Sequence, residues 1–362
     1  MATAEQILKA LTQVQDPDLH RDIVSLGFVK QLKIDGERVS FAIELTTPAC
    51  PVKDLMKEQA IQAVRALPGI QHIDVTLTAQ VRKATVAPPG SMASSLAPMV
   101  KNIIPVASGK GGVGKSTVSA NVAVALARSG AKVGVMDADV YGPSIPKLLG
   151  ITEEPQLTEA RRIIPVERFG LKVMSMAFFM KAGDAIIWRG PMLHKTVEQF
   201  LGTVEWGELD YLIVDVPPGT SDIQLSLCQL VPITGAVIVS TPQDVALNVA
   251  QKAIAMFRKL NAPVLGVIEN MSAYVCTQCG HREEIFGSGG ARAAAERFGL
   301  PFLGEIPLAT QVRELSDAGS PIVAEAPDSP AAVAFQRVAE QLAAQVSIRA
   351  MQGETSQVKV TF

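Results

Sequence analysis

Neither sign of charge is in surplus along these 362 residues: 33 Lys and Arg stand against 35 Asp and Glu, a formal net charge of −2. No broad basic face is therefore expected to meet nucleic acid or an anionic membrane, and binding driven by counterion release is disfavoured. Long apolar runs are missing too. No uninterrupted stretch is long enough to span a bilayer, and Met1-Ala2-Thr3-Ala4-Glu5-Gln6 lacks the basic and apolar regions of a signal peptide, so a cytoplasmic protein is expected. Cysteine is scarce: Cys50, Cys228, Cys276 and Cys279 are the whole set. So few thiols in a long cytosolic chain argue against a disulfide framework and leave metal or thiolate chemistry for any close pair. No internal repeat is evident, and the length predicts roughly two domains with ample core.

What stands out is the run Gly109-Lys110-Gly111-Gly112-Val113-Gly114-Lys115-Ser116-Thr117, which fits the phosphate-binding pattern G-x-x-x-x-G-K-[ST]. The apolar Ile103-Ile104-Pro105-Val106-Ala107 before it reads as a buried strand, and Ser116 to Ser129 has helical spacing ending at Gly130. That is the context the motif demands. Glycines let the backbone turn its N–H groups inward, and the helix N-terminus adds positive potential. Lys115 is placed to reach the β- and γ-phosphates of a bound nucleotide, and the Ser116 hydroxyl to bind Mg²⁺. An ordinary loop of this type needs only the later lysine. Lys110 is therefore either a solvated loop residue or a cation supplied across an interface.

Residues 1–85 read as a small α+β domain. Helices are expected at Glu5–Val14 and Val52–Leu67, a hairpin at 28–34 and 38–45 around Asp35-Gly36, and a strand near Ile73–Val75. Residues 86–100 are expected to link the domains, since Val86 to Ser95 has linker composition and no periodicity. From 101 to 346, nearly continuous apolar runs at 133–136, 171–174, 211–214, 236–239 and 264–268 alternate with helical segments. This is the pattern of a doubly wound, mostly parallel α/β sheet, with its ligand site at the carboxyl ends of the strands. Residues 347–362 are expected to be a polar, mobile tail.

Two acidic motifs sit at strand ends. Val214-Asp215-Val216-Pro217-Pro218-Gly219-Thr220 places Asp215 as the Walker B carboxylate that holds Mg²⁺ through water, with Gly219 free to move toward the γ-phosphate. Asp137-Ala138-Asp139 ends another strand, and Asp137 is assigned to the Mg²⁺ shell. Each aspartate alone could be a helix N-cap; three motifs at three strand ends are hard to explain that way. Asn270, in Glu269-Asn270-Met271, is the candidate adenine reader because its amide offers a donor and an acceptor; the alternative is a turn or cap residue. Cys276-Thr277-Gln278-Cys279 supplies two thiolates, half of a tetrahedral shell. Two symmetry-related pairs in a homodimer would complete either a structural zinc site or a bridging [4Fe–4S] cluster. His281 as a third ligand would favour zinc, and a redox pair is a further alternative.

GKGGVGKST, DADVYGPS, VDVPPGTSD, STPQDVAL, IENMS and the C-x-x-C followed by IFGSGG resemble the Mrp/ApbC group of deviant P-loop ATPases, the iron–sulfur cluster carriers, over about two thirds of the chain. DPDLHRDIVSLGFV and LTTPACPVKD resemble the small domain often fused to that group and found alone in iron–sulfur assembly factors. The resemblance implies ATP hydrolysis in a homodimer, with Lys110 reaching the partner subunit's nucleotide and Asp139 orienting the attacking water. It implies that Cys276 and Cys279 hold the cluster, received from scaffold proteins and passed to apo iron–sulfur proteins. Cys50 matches the small domain's cysteine, and Cys228 matches nothing and reads as core.

Three functions compete on this reading. The first is an ATP-hydrolysing cluster carrier. The second is a zinc-bridged dimeric ATPase acting as a chaperone. The third, a partitioning or positioning ATPase without metal, calls for a basic face or a basic amphipathic C-terminal helix, and it leaves the thiol pair unexplained.

Overall fold

The computed structural model describes residues 2–84, 96–180, 190–276 and 278–357, with backbone only at 244–250 and 353–357. The chain forms two compact units, Met1–Arg82 with Ser347–Phe362, and Lys83–Val346.

In the small unit, α1 (Ala4–Leu11) opens on a capping box between Thr3 and Gln6 and buries Ile7 and Leu11. Strands β1 (Val29–Asp35) and β2 (Arg38–Leu45) pair as an antiparallel hairpin. The turn is made at Gly36, with φ +58°. Helix α2 (Lys53–Arg65) buries Met56, Ala60 and Val64, and β3 (His72–Ala79) returns parallel to β2. The expected α+β unit is present, with a core of Ile7, Leu11, Phe28, Ile43 and Met56. Of the expected linker, residues 86–95 lie outside the described residues, and Val100 already opens a strand.

The large unit is built on β4 (Val100–Ser108), α3 (Lys115–Arg128), β5 (Val133–Asp137), β6 (Val166–Arg168), β7 (Leu171–Ser175), α4 (Gly190–Thr203), β8 (Leu209–Asp215), α5 (Asp222–Leu230), β9 (Ala236–Ser240), α6 (Asp244–Lys259), β10 (Val264–Val275), β11 (Arg282–Glu283), α7 (Gly290–Phe298), β12 (Phe302–Leu308) and, up to Val346, α8 (Pro330–Gln357). Strand order is β6-β7-β5-β8-β4-β9-β10, and β10 also pairs with β11 and β12. All pairings are parallel except β6–β7 and β10–β11. Every residue of β5 and β9 is buried, which is why these strands read as unbroken apolar runs. Helices α4, α5 and α6 cover the sheet through Leu193, Phe200, Ile223, Leu227 and Phe257. Helix α3 packs on β5 and β8 from outside that cluster.

The expected tail is corrected over residues 347–357, while 358–362 lie outside the described residues. The chain after Val346 continues α8 as helix to Gln357. Ser347 and Ala350 are buried and Met351 packs on the small unit's core, positions i, i+3 and i+4 that share one helix face. Among the described residues no helix is long and apolar enough to cross a membrane.

Candidate functional site

Strand β4 ends in the phosphate loop, and Gly112 and Gly114 take φ of +79° and +77°, the left-handed region that glycine enters without penalty. Helix α3 starts at Lys115 with Gly114 as its N-cap, so the loop's N–H groups and the helix N-terminus converge on one spot. The parallel register sets Asp215 of β8 opposite both Val106 of β4 and Asp137 of β5. That brings the motifs together. Lys115 Nζ sits 2.7 Å from Asp215 Oδ2 and 3.8 Å from Asp139 Oδ2, with the side chains of Lys115 and Asp215 6% and 0% exposed. Ser116 Oγ donates to Asp215 Oδ2 at 2.6 Å, and Ser119 Oγ donates to Asp215 Oδ1 at 2.7 Å. A cavity of about 280 Å³ opens over this cluster, lined by Lys110, Lys115, Ser116, Asp139 and Pro218 among others.

The two acids of the next strand end differ. Four donors converge on Asp137: Asp139 N on Oδ1 at 3.2 Å, and Ser144 N, Ile145 N and Ser175 Oγ on Oδ2 at 3.0, 3.1 and 2.9 Å. Burial, and then the neighbouring Asp215, push its pKa up to about 7. This carboxylate braces the loop 138–145, with three of its four bonds on Oδ2 and one, from Asp139 N, on Oδ1. Asp139 faces the cavity, its Oδ1 accepting long bonds from Tyr141 N and Gly142 N, both at 3.3 Å.

Lys110 borders the cavity, and among the described residues its Nζ makes one long contact, to Gln243 Oε1 at 3.4 Å. Asn270, the candidate adenine reader, donates from Nδ2 to Val113 O at 2.8 Å, so its amide also supports the phosphate loop. A Cβ on Gly114 would collide with that same Nδ2, so this position of the loop accepts no side chain. Gln224 was missed. Fully buried, it donates from Nε2 to Pro217 O at 2.9 Å and to Gly219 O at 3.0 Å, while its Oε1 takes the N–H of Ser221. It thereby holds the whole Val216–Ser221 turn. The S-x-x-Q spacing at 221–224 was the available signal.

The thiol pair lies elsewhere in the unit, at the tip of the β10–β11 hairpin. Cys276 N donates to His281 O and Gly280 N to Cys276 O, both at 2.9 Å. Backbone hydrogen bonds, first from Cys279 and then from Gln278, hold the Cys276 thiol below its ordinary value. Burial pushes Cys50 and Cys228 up to about 11. The pair follows a strand instead of opening a helix, against the redox alternative. Among the described residues no group of three or more His, Cys, Asp or Glu side chains is disposed to hold a metal, so His281 does not complete a site within one chain.

Comparison with known proteins matches this division. A family model described as a NUBPL iron-transfer P-loop NTPase fits residues 99–343, and one described as an iron-sulfur cluster assembly protein fits residues 4–77. Over 357 residues the chain is 48% identical to the iron-sulfur cluster carrier protein of Deinococcus radiodurans, covering 98% of this chain and 99% of that one. A nucleotide-binding protein of Archaeoglobus fulgidus solved with ADP superposes with a TM-score of 0.55 at 43% identity, over 61% of this chain and 88% of that one. The cell division ATPase MinD of Pyrococcus furiosus, at 24% identity and a TM-score of 0.50 over 66% of this chain and 97% of its own, shares the fold.

Proposed function

The chain belongs to the iron-transfer P-loop NTPase family, whose ATPase domain here follows a domain of the iron–sulfur cluster assembly type, and from that premise we propose a cluster carrier whose cargo is held between two copies. It is an ATPase that serves iron–sulfur cluster transfer to apo-proteins. In the proposed arrangement each copy supplies Cys276 and Cys279, and four thiolates bridge one [4Fe–4S] cluster. The observation that carries this reading is the thiol pair on a hairpin tip, with the Cys276 thiol held below its ordinary pKa and, among the described residues, no group of three or more ligating side chains around it. A thiolate is the form that ligates metal.

At the nucleotide site, Lys115 leaves Asp215 for the β- and γ-phosphates when ATP enters. Ser116 and Asp215, already 2.6 Å apart, are a hydroxyl and a carboxylate fit to hold the Mg²⁺ that accompanies ATP and neutralises phosphate charge. Asp139 orients the attacking water, and Lys110, loosely held on Gln243, extends to the partner's nucleotide. Nucleotide state would then bias a two-copy assembly between holding and releasing its cargo.

The test is anaerobic reconstitution of the full chain with iron and sulfide, followed by absorbance, iron and sulfide analysis and mass in solution. A brown dimer with four iron and four sulfide per two chains, about one cluster per pair of hairpins, is expected. A colourless protein that retains zinc through the same treatment would replace this reading with the zinc-bridged one.

A further inference from the structure

Strand β10 joins the two sites and is irregular between them. Its first part is paired on both sides, with register shifts of its own at Ala236/Val237 against β9 and at Val267/Ile268 against β12. Residues Ala236 to Ser240 of β9 pair with it up to Glu269, and β12 pairs with it from Val267 to Asn270. The fully buried Glu269 carboxylate takes the N–H groups of Gly289 and Ala291 at 3.0 and 2.8 Å, which fixes this point of the strand to the start of α7. Beyond it the pairing with β9 stops, and the register with β12 slips: Asn270 faces Ile306, but Tyr274 faces Leu308. Four steps along β10 therefore answer to two along β12. The surplus is taken up by a bulge at Met271, whose φ of +59° is left-handed in a residue with no local device to favour it. After Ser272, whose hydroxyl donates to Ile306 O at 3.3 Å, the strand passes into the hairpin and Cys276.

The same bulge touches the phosphate loop. Asn270 donates to Val113 O, and the methyl of Met271 stands 3.6 Å from where a Gly114 Cβ would lie. The residues before the bulge are held by β9, β12 and the Glu269 carboxylate, the residues after it carry the thiols, and the bulge itself contacts the loop expected to take up phosphate. We propose that the Asn270–Met271 bulge is a positioning element that couples phosphate-loop occupancy to the geometry of the Cys276–Cys279 turn. It rests on the reading of that turn as the cargo site. An element with two discrete arrangements is needed for such coupling. A left-handed residue in a strand supplies them, because its return to extended backbone would re-register the four residues that lead to the thiols.

The experiment is hydrogen exchange of the metal-free full-length protein, read on the peptide covering residues 272–283, with and without saturating Mg·ATP. Saturation keeps a loss of affinity from posing as a loss of coupling. The wild-type peptide should change its exchange rate by about fivefold or more, the lower end of ordinary coupling between sites. Met271→Val, β-branched and averse to positive φ, should abolish the change, and Met271→Asn, which tolerates positive φ, should keep it. Both variants remove the methyl contact, so the pair isolates the backbone conformation. Should Met271→Val not fold, Met271→Gly must blunt the change instead, since glycine holds both conformations nearly equally. A wild-type hairpin indifferent to ATP, or Val and Asn variants that behave alike, overturns the proposal. Because no metal is present, the answer is independent of whether the turn holds iron and sulfide, which the reconstitution decides alone.

Discussion

Asp137 and Asp215 are side-by-side partners at the ends of two parallel strands, and their carboxylates are satisfied from opposite sources. Asp137 is held by two loop N–H groups near Ile145, by Asp139 N and by the Ser175 hydroxyl, all permanent parts of the fold. Asp215 is held by Lys115, Ser116 and Ser119, and the first two of these are the groups proposed to serve ATP and its cation. One carboxylate is architecture. The other stands in for a ligand.

Lys115→Ala should for that reason do two separable things. It removes phosphate binding and hydrolysis, and it leaves the buried Asp215 without its cation, a loss of about 3–5 kcal/mol in the nucleotide-free protein. Adding Asp215→Asn to Lys115→Ala should restore most of the stability and none of the hydrolysis, as judged by denaturant unfolding beside a phosphate-release assay. A single variant as stable as wild type would show that the Lys115–Asp215 pair contributes nothing without ligand.

Lys110→Ala should slow turnover by about a hundredfold, the usual effect of removing one donor to developing charge. Mixing decides whether the lysine acts across the interface. In a dimer of one Lys110→Ala chain with one Asp139→Asn chain, one site keeps its own Asp139 and the partner's Lys110. An equal mixture should therefore regain about a quarter of wild-type turnover from two nearly dead proteins. Mixtures that stay as inactive as their components place Lys110 in its own site.

Gln224→Met should cost about 1–3 kcal/mol of unfolding free energy, because Pro217 O and Gly219 O lose a buried donor that Met cannot replace. The loosened turn carries Gly219, whose N–H donates to Ser108 O at the start of the phosphate loop, so turnover should fall with it. Unchanged urea unfolding would mean that water replaces the side-chain amide.

How far the sequence revealed all this depended on whether a role was local. The strands ending at Asp137 and Asp215 were legible because burial on both faces writes an unbroken apolar run. Lys115, Ser116 and the loop glycines were legible because the motif is contiguous. The support that Asn270 gives the loop was not, since its partner Val113 lies 157 positions away and no spacing rule records the contact. For Asp137 the sequence shows an acid at a strand end, but the four donors that surround it, three from the loop that follows and one from Ser175 on β7, are recorded by no motif. The end of α8 was misread because the polar run after Arg349 has no evident apolar period, and its buried face is defined by the core it lands on.

The thiols should differ in their response to pH. Alkylation consumes thiolate, and the thiolate fraction rises as pH climbs through the pKa. Cys276, held below its ordinary value by backbone N–H groups, should begin to react at lower pH than Cys50 or Cys228, which stay protonated until about 11. Peptide mass analysis after brief iodoacetamide treatment of metal-free protein between about pH 6 and about pH 10 gives each profile. Cys50 labelled as early as Cys276 would mean that the small unit opens in solution.

The bridging site makes the last and most exposed prediction. With two thiolates per chain, Cys276→Ala in a homodimer leaves two of four ligands, and Cys279→Ala does the same, so either variant should lose the cluster. A group that binds the dimer and not the separated chains stabilises the dimer by linkage, so association should weaken along with iron and sulfide content. Cys50→Ala should retain both, because that thiol is 8% exposed within the core of the small unit and is held protonated by its burial. Iron, labile sulfide and mass in solution, measured for wild type and the three variants after identical reconstitution, separate the cases. A monomer with a full complement of iron and sulfide would exclude a site shared between two hairpins, and loss of the cluster in Cys50→Ala would bring the small unit into the site.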